Sequence, residues 1–106
     1  MAISIRVKDE EEFEERIRNK DLTLAKEIVN VILKNLNSKK RFHHIFEIYI
    51  EDRDTILDLT IDKNDFITTL EKNLKTLIFH EEYEICSDVK KAIDKLKKKN
   101  DKKINK

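Results

Sequence analysis

The sequence predicts a small α+β domain in which a three-stranded antiparallel or mixed sheet carries helices on one face. Some short segments alternate apolar with polar residues as strands do, and longer segments space apolar residues as helices do. Together they follow the order β-α-α-β-β-α-α, and 106 residues suffice for one core. We therefore expect one α+β domain over residues 1–96, which includes a helical hairpin at 66–96, and a disordered lysine-rich tail at 97–106.

The N-terminal part is predicted to form one strand followed by two helices. Apolar residues alternate with polar ones over residues 3–7, which is the pattern of a short, half-buried strand. Asp9 and Asp21 each precede a pattern of helical period, so both are expected to be N-caps that accept a hydrogen bond from the first turn. The second helix has an apolar stripe from Leu24 to Leu36 and is predicted to be the core helix.

The next two strands are predicted to form an antiparallel hairpin. Residues 42–50 are rich in aromatic and β-branched side chains, and residues 55–62 alternate apolar with polar positions. The acidic segment 51–54 lies between them and is expected to form the turn that Asn-Gly forms in other hairpins.

A hairpin of two helices is predicted to follow. Apolar residues recur at helical spacing over residues 66–78 and again over residues 83–96, and residues 79–81 break the pattern between them. Lysines accumulate toward the end of the last helix, where the helix dipole favours positive charge.

Composition excludes several classes of protein. The chain has no glycine and no proline, whereas phosphate-binding loops and nucleophile elbows need glycine where the backbone approaches a ligand or takes positive φ. No apolar run approaches the roughly 20 residues that cross a bilayer, so we expect no membrane association. The single cysteine cannot form an internal disulfide, which together with these features predicts a cytoplasmic protein.

Charge is distributed unevenly along the chain. Residues 90–106 contain nine lysines and two aspartates, a net charge of +7, so residues 1–89 carry −6 of the total of +1. The basic end could contact nucleic acid weakly, but without aromatic or arginine residues among its lysines it offers neither base stacking nor bidentate base recognition. The candidate contacts are Lys97, Lys98, Lys99, Lys102 and Lys103.

No residue pattern predicts a catalytic, cofactor or metal site. His43 and His44 are adjacent on a predicted strand and should point to opposite faces, and His80 and Cys86 match no common ligand spacing. Cys86 has acidic neighbours, which oppose formation of a thiolate, so we expect a packing cysteine. The aspartates of the strand hairpin are interpreted as solvent-facing positions.

Residues 70–96 read LEKNLKTLIFHEEYEICSDVKKAIDKL. This stretch resembles the UVR motif, a short helical hairpin found in the excision-repair proteins UvrB and UvrC and in several bacterial adaptor proteins. The matching positions are Leu70, Leu74, Glu82, Tyr83, Glu84, Val89, Ile93 and Leu96. The stretch departs from the family at Cys86 and Ser87, where alanines are usual, at Ile78, where a small residue is usual, and at residues 90–91, where Arg-Asp is frequent.

The resemblance implies that the hairpin docks on another protein or on a second copy. Two helices alone cannot bury both of their apolar stripes, so the hairpin must pack on its own domain, on a copy or on a partner. The predicted partner-binding residues are Leu70, Leu74, Ile78, Tyr83, Val89 and Ile93. The alternative is that Tyr83, Val89 and Ile93 complete the domain's own core.

The predicted function is therefore a non-enzymatic protein–protein interaction or adaptor module, of the kind used as a bacterial or phage accessory factor. One rival is a nucleic-acid-associated accessory protein that uses the basic end. A second rival is an enzyme whose site is assembled from residues distant in sequence.

Overall fold

The computed structural model describes residues 3–104, with side chains for residues 4–99. The strands are β1 (Ile3–Val7), β2 (Phe42–Ile50) and β3 (Thr55–Asp62). The helices are α1 (Glu10–Arg18), α2 (Leu22–Lys34), α3 (Phe66–Phe79) and α4 (Tyr83–Ile104). The predicted α+β class and element order are confirmed.

The three strands form a mixed sheet in the order β1-β2-β3. β1 runs parallel to β2, with Ile5 opposite Ile48, and β3 runs antiparallel to β2, with Leu57 opposite Ile48. A parallel pair needs a long crossover connection, and here α1 and α2 supply it. The acidic turn after β2 closes without glycine because Asp54 takes the left-handed conformation at φ 46°.

A β-bulge interrupts β2 between His44 and Phe46. Ile45 is the extra residue, and both Ile45 and Phe46 are buried although they are neighbours in sequence. The exposed positions of β2 therefore move from residue 44 to residue 47, whereas a regular strand would continue from 44 to 46. The bulge thus changes which residues share the outer face of the sheet.

The core lies between the inner face of the sheet and the helices. The Phe13 ring of α1 packs edge-on against Phe46, with ring centroids 6.4 Å apart, and the His43 ring lies 5.7 Å from that of Phe66. The largest fully buried side chains come from strands and from three of the helices, so a single core joins both halves of the chain. They are Phe46, Phe66, Ile32, Ile50, Leu70, Leu77, Val7, Val29 and Val89.

The expectation of a disordered tail from residue 97 is wrong for residues 97–104, which continue α4. Apolar periodicity stops at Leu96, but lysine is a good helix former and needs no apolar face to extend an existing helix. This turn makes two surface contacts: Lys97 Nζ lies 3.8 Å from Glu71 Oε2, and Lys99 Nζ donates to Asn37 Oδ1 over 2.9 Å. Residues 105–106 of the predicted tail lie outside the described residues.

Asp21 caps α2 and joins it to α1, as its sequence position predicted. Its Oδ1 accepts a hydrogen bond from the Leu24 N–H over 3.0 Å, and its Oδ2 accepts one from Arg16 Nε over 2.9 Å. Partial burial raises the pKa of the Asp21 carboxyl. The hydrogen bonds from Arg16 and Leu24 and the charge of Arg16 together lower the pKa by more than burial raises it, so the pKa lies below its ordinary value.

We expect Asp21→Ala to lower the free energy of unfolding by about 1–2 kcal/mol at pH 7, because the helix loses its cap and Arg16 its partner. Because the carboxyl pKa is lower in the folded state, the ionised carboxylate stabilises the folded state at pH values above the unfolded-state pKa of about 3.9. This stabilisation is lost as the pH falls through the lower folded-state pKa. Urea unfolding should therefore show a smaller difference in the free energy of unfolding between wild type and Asp21→Ala at pH 3 than at pH 7. An equal gap at both pH values would contradict this role of the carboxylate.

Candidate interaction surface at the end of the helical hairpin

The turn between α3 and α4 has a defined backbone geometry. The Glu81 N–H donates to the Ile78 carbonyl over 3.0 Å, and the Glu82 N–H donates to the Leu77 carbonyl over 2.9 Å. This pair of bonds with Glu81 at φ 59° is a Schellman motif, in which glutamate occupies the left-handed position that glycine usually takes. The two helices are thereby held side by side, as the sequence predicted.

The turn is also attached to the start of α2. His80 Nε2 donates to the Lys20 carbonyl oxygen over 2.7 Å, and Lys26 Nζ lies 3.0 Å from Glu82 Oε1. Lys20 Nζ lies 4.7 Å from the centre of the Phe79 ring. These contacts fix the direction in which the end of the hairpin faces solvent.

The apolar strip predicted to bind a partner divides into a buried part and an exposed part. Leu70 and Val89 are 0% exposed and Ile93 is 7% exposed, so these three belong to the core of the chain itself. Leu74 is half-buried against that core. Ile78 and Tyr83, at the end of the hairpin, remain 46% and 65% exposed.

Three large apolar side chains form what we call the turn patch: Ile78, Phe79 and Tyr83. Phe79 is 62% exposed and adds an aromatic ring that the sequence interpretation did not include. The sequence signal for its exposure was its position in the segment that breaks the two helical patterns. Exposed aromatic side chains at one turn are typical of interaction sites, since a folded chain ordinarily buries them.

A shallow groove of about 450 Å³ begins at Ile78 and Tyr83 of the turn patch and follows α4. Its apolar floor includes Cys86, which is buried as the sequence predicted for a packing residue. Lys90, Lys91 and Asp94 line the groove further along, so the lining at that end carries a net charge of +1. The complete lining is Ile78, Tyr83, Cys86, Ser87, Lys90, Lys91 and Asp94.

A second apolar groove, of about 390 Å³, lies between α1 and β3. Phe13 and Leu59 are half-buried there, and Ile17 and Leu57 are exposed. Acidic residues of α1 border it. This groove is the competing apolar surface of the molecule and provides a comparison in binding experiments.

The structure separates the residues that the sequence offered for chemistry. His43 is buried with its Nε2 3.1 Å from the Lys40 carbonyl, and His44 is exposed, so the two point to opposite faces as predicted. Among the described residues, neither His80 nor Cys86 belongs to a group able to hold a metal ion; the group found there is His44, Glu47 and Asp58. Sequence reasoning missed it because a bulge has no reliable sequence pattern.

The lysines proposed as nucleic-acid contacts lie on α4. Lys97, Lys98 and Lys99 are exposed, and the first and last of them contact Glu71 and Asn37. The side chains of Lys102 and Lys103 lie outside those described.

The chain matches no family model, no curated protein and no solved structure in comparisons with known proteins. The likeness of residues 70–96 to the UVR motif therefore remains a prediction from the sequence. In the described part of the chain, every helix is too short or too polar to cross a membrane.

Proposed function

We propose that this chain is a non-enzymatic interaction module that binds a short amphipathic segment of another protein on the turn patch. The observation that carries the proposal is the division of the hairpin. Most of its apolar strip lies in the core, while Ile78, Phe79 and Tyr83 remain exposed at one end. The resemblance to the UVR motif, whose family includes adaptor proteins, supports the same function and a bacterial or phage accessory role.

The size of the patch favours a transient partner over a stable dimer. Fully burying an aromatic side chain removes about 150–250 Å² from water, so three partly exposed side chains offer on the order of a few hundred Å². Stable interfaces bury about 1,200–2,000 Å² in total. A short segment that binds with micromolar affinity fits this area better than a second copy of the chain.

The lysines that line the groove beyond the turn patch indicate the chemistry of the partner there, although the exposed residues Glu81 and Glu84 beside Tyr83 are acidic. Lys90 and Lys91 line the groove that begins at Tyr83, and further exposed lysines follow along α4. An amphipathic helix with apolar side chains on the patch and acidic side chains beside these lysines would be complementary in both respects. A cytoplasmic location, where Cys86 would stay reduced, agrees with its state as a buried free thiol.

The turn patch is preferred to the groove between α1 and β3 because of the side chains it offers. Tyr83 and Phe79 are rigid aromatic residues, which supply contact area at a small cost in side-chain entropy. The other groove exposes Ile17 and Leu57, and aliphatic residues are less often the main anchors of an interface.

The test combines capture with quantitative binding. The immobilised protein should capture a partner from lysate of its native cell, and a synthetic peptide from that partner, acidic and amphipathic, should bind the purified protein. We expect Tyr83→Ala to lower the affinity for the peptide at least tenfold, which corresponds to about 1.4 kcal/mol of binding free energy. Ile56→Ala is the matched control, because Ile56 is 61% exposed on the outer face of the sheet.

Two results would contradict the proposal. Unchanged affinity in both Tyr83→Ala and Ile78→Ala would exclude the turn patch. Loss of binding in Ile17→Ala, with Tyr83→Ala unaffected, would assign the interaction to the groove between α1 and β3.

A second candidate function is weak nucleic-acid binding by the basic end of the chain. Its supporting observation is that Lys97, Lys98 and Lys99 are exposed on helix α4. Binding should then fall steeply with salt and disappear when the chain ends at residue 96. Partner binding at the turn patch should survive that truncation, which separates the two functions.

A further inference from the structure

We propose that the outer face of the sheet binds a first-row divalent transition metal, with Zn²⁺ as the probe, through His44, Glu47 and Asp58. One ligand atom from each of the three side chains lies within 4.8 Å of the other two. His44 Nε2 and Asp58 Oδ1 are already 3.2 Å apart. Metal–ligand bonds of about 2.0–2.2 Å place neighbouring ligand atoms some 3–4 Å apart, so small rotations of exposed side chains would complete the site.

The β-bulge creates this arrangement. In a regular strand residues 44 and 46 would share a face and Glu47 would point inward. The extra residue Ile45 brings His44 and Glu47 to the same outer face, next to Asp58 of β3. Bulges commonly re-aim side chains next to functional sites.

The charges around the cluster give a second reason for a cation. Glu47 lies directly opposite Asp58 in the β2–β3 register, and like charges in this position destabilise a sheet. The chain has 23 Lys and Arg residues. Among the described side chains, however, neither carboxylate pairs with one of them, and the hydrogen-bond partner of Asp58 is His44. A divalent ion would neutralise both carboxylates at once.

The donor set selects the class of metal. One imidazole nitrogen with two carboxylate oxygens suits Zn²⁺ and its first-row neighbours, whereas Mg²⁺ and Ca²⁺ prefer sites made of oxygen alone. Three protein ligands leave the metal with an open position for water or for a side chain of another molecule. The site lies on the sheet and is independent of the turn patch.

The test is a calorimetric titration of the untagged protein with ZnCl₂. We expect one ion per chain in the wild type, and at least a tenfold loss of affinity in His44→Gln and in Glu47→Gln, since each removes a ligand. His80→Gln and Glu84→Gln are the matched controls, because they remove an imidazole and a carboxylate elsewhere, and both should bind as the wild type does. Excess Mg²⁺ should not displace the zinc.

A thermal measurement gives an independent readout. In EDTA, Glu47→Gln should raise the melting temperature by about 1–4 °C, because it removes repulsion between two facing carboxylates. At a zinc concentration well above the wild-type dissociation constant, the same variant should melt below the wild type, because the tighter site of the wild type gains more stability from the bound ion. The change in melting temperature caused by Glu47→Gln is therefore expected to be positive in EDTA and negative in zinc.

Several results would overturn the proposal. The first is the absence of any heat of binding up to about 1 mM Zn²⁺. The others are an equal zinc affinity in His44→Gln and wild type, or a loss of zinc binding in His80→Gln. A melting temperature of Glu47→Gln that does not change sign relative to the wild type would also overturn it. All four variants alter surface or partly exposed side chains, so failure to fold is not expected to obscure the outcome.

Discussion

A chain that ends at residue 82, and so lacks α4, is expected to be unfolded. α4 contributes five buried side chains to the core, and its removal also uncovers Leu70 and Leu77 of α3. Burial of a large apolar side chain stabilises a protein by about 1.5–3 kcal/mol, so the loss is comparable with the whole stability of a small domain, about 5–15 kcal/mol. The five are Cys86, Val89, Ala92, Ile93 and Leu96.

The matched control is a chain that ends at residue 96. It keeps the five buried side chains and removes a segment whose described side chains, Lys97 to Lys99, are exposed. Circular dichroism and the dispersion of amide proton shifts should show a folded protein for residues 1–96 and an unfolded one for residues 1–82. A cooperative thermal transition in residues 1–82 would mean that α4 is an appendage and that its apolar face is free for a partner.

Leu70→Ala is expected to lower the free energy of unfolding by about 2–5 kcal/mol, because it leaves a cavity in a packed core. Tyr83→Ala, on the same hairpin, should change it by less than about 0.5 kcal/mol, because most of that side chain is in water. Urea unfolding monitored by circular dichroism measures the free energy of unfolding of both variants. The slope of this free energy against urea concentration should be the same in both variants as in the wild type.

The opposite pattern would contradict the division of the hairpin. A cost below about 1 kcal/mol for Leu70→Ala would show that this position is not in a tightly packed core. A cost above about 2 kcal/mol for Tyr83→Ala would show that the ring packs on the domain and is not available to a partner.

The local elements were predictable because local patterns determine them. Asp9 and Asp21 cap their helices, the acidic segment after β2 forms the turn, and the alternation of residues 55–62 places Asp58 on the outer face. The parallel pairing of β1 with β2 was not predictable, since alternation gives no strand direction and the partner is far away in the sequence. The continuation of α4 past Leu96 was missed because the prediction relied on apolar periodicity alone.

The candidate site was predictable only in part. An apolar stripe at helical spacing shows which side of a helix avoids water, but it does not show what covers each turn. Leu70 and Ile78 are two turns apart on one stripe, and only the structure shows the first in the core and the second at the exposed end. The cluster of His44, Glu47 and Asp58 depends on a bulge and on strand register, which arise from pairing between strands.

The central claim is that a partner contacts the end of the hairpin, and site-specific crosslinking tests it most directly. Tyr83 or, as control, Ile56 is replaced by the photo-reactive residue p-benzoylphenylalanine, and the protein is irradiated in lysate of its native cell. We predict one discrete crosslinked product for position 83, mapped by mass spectrometry to an acidic amphipathic segment, and none for position 56. No product at position 83, or the same products at both positions, would contradict the claim.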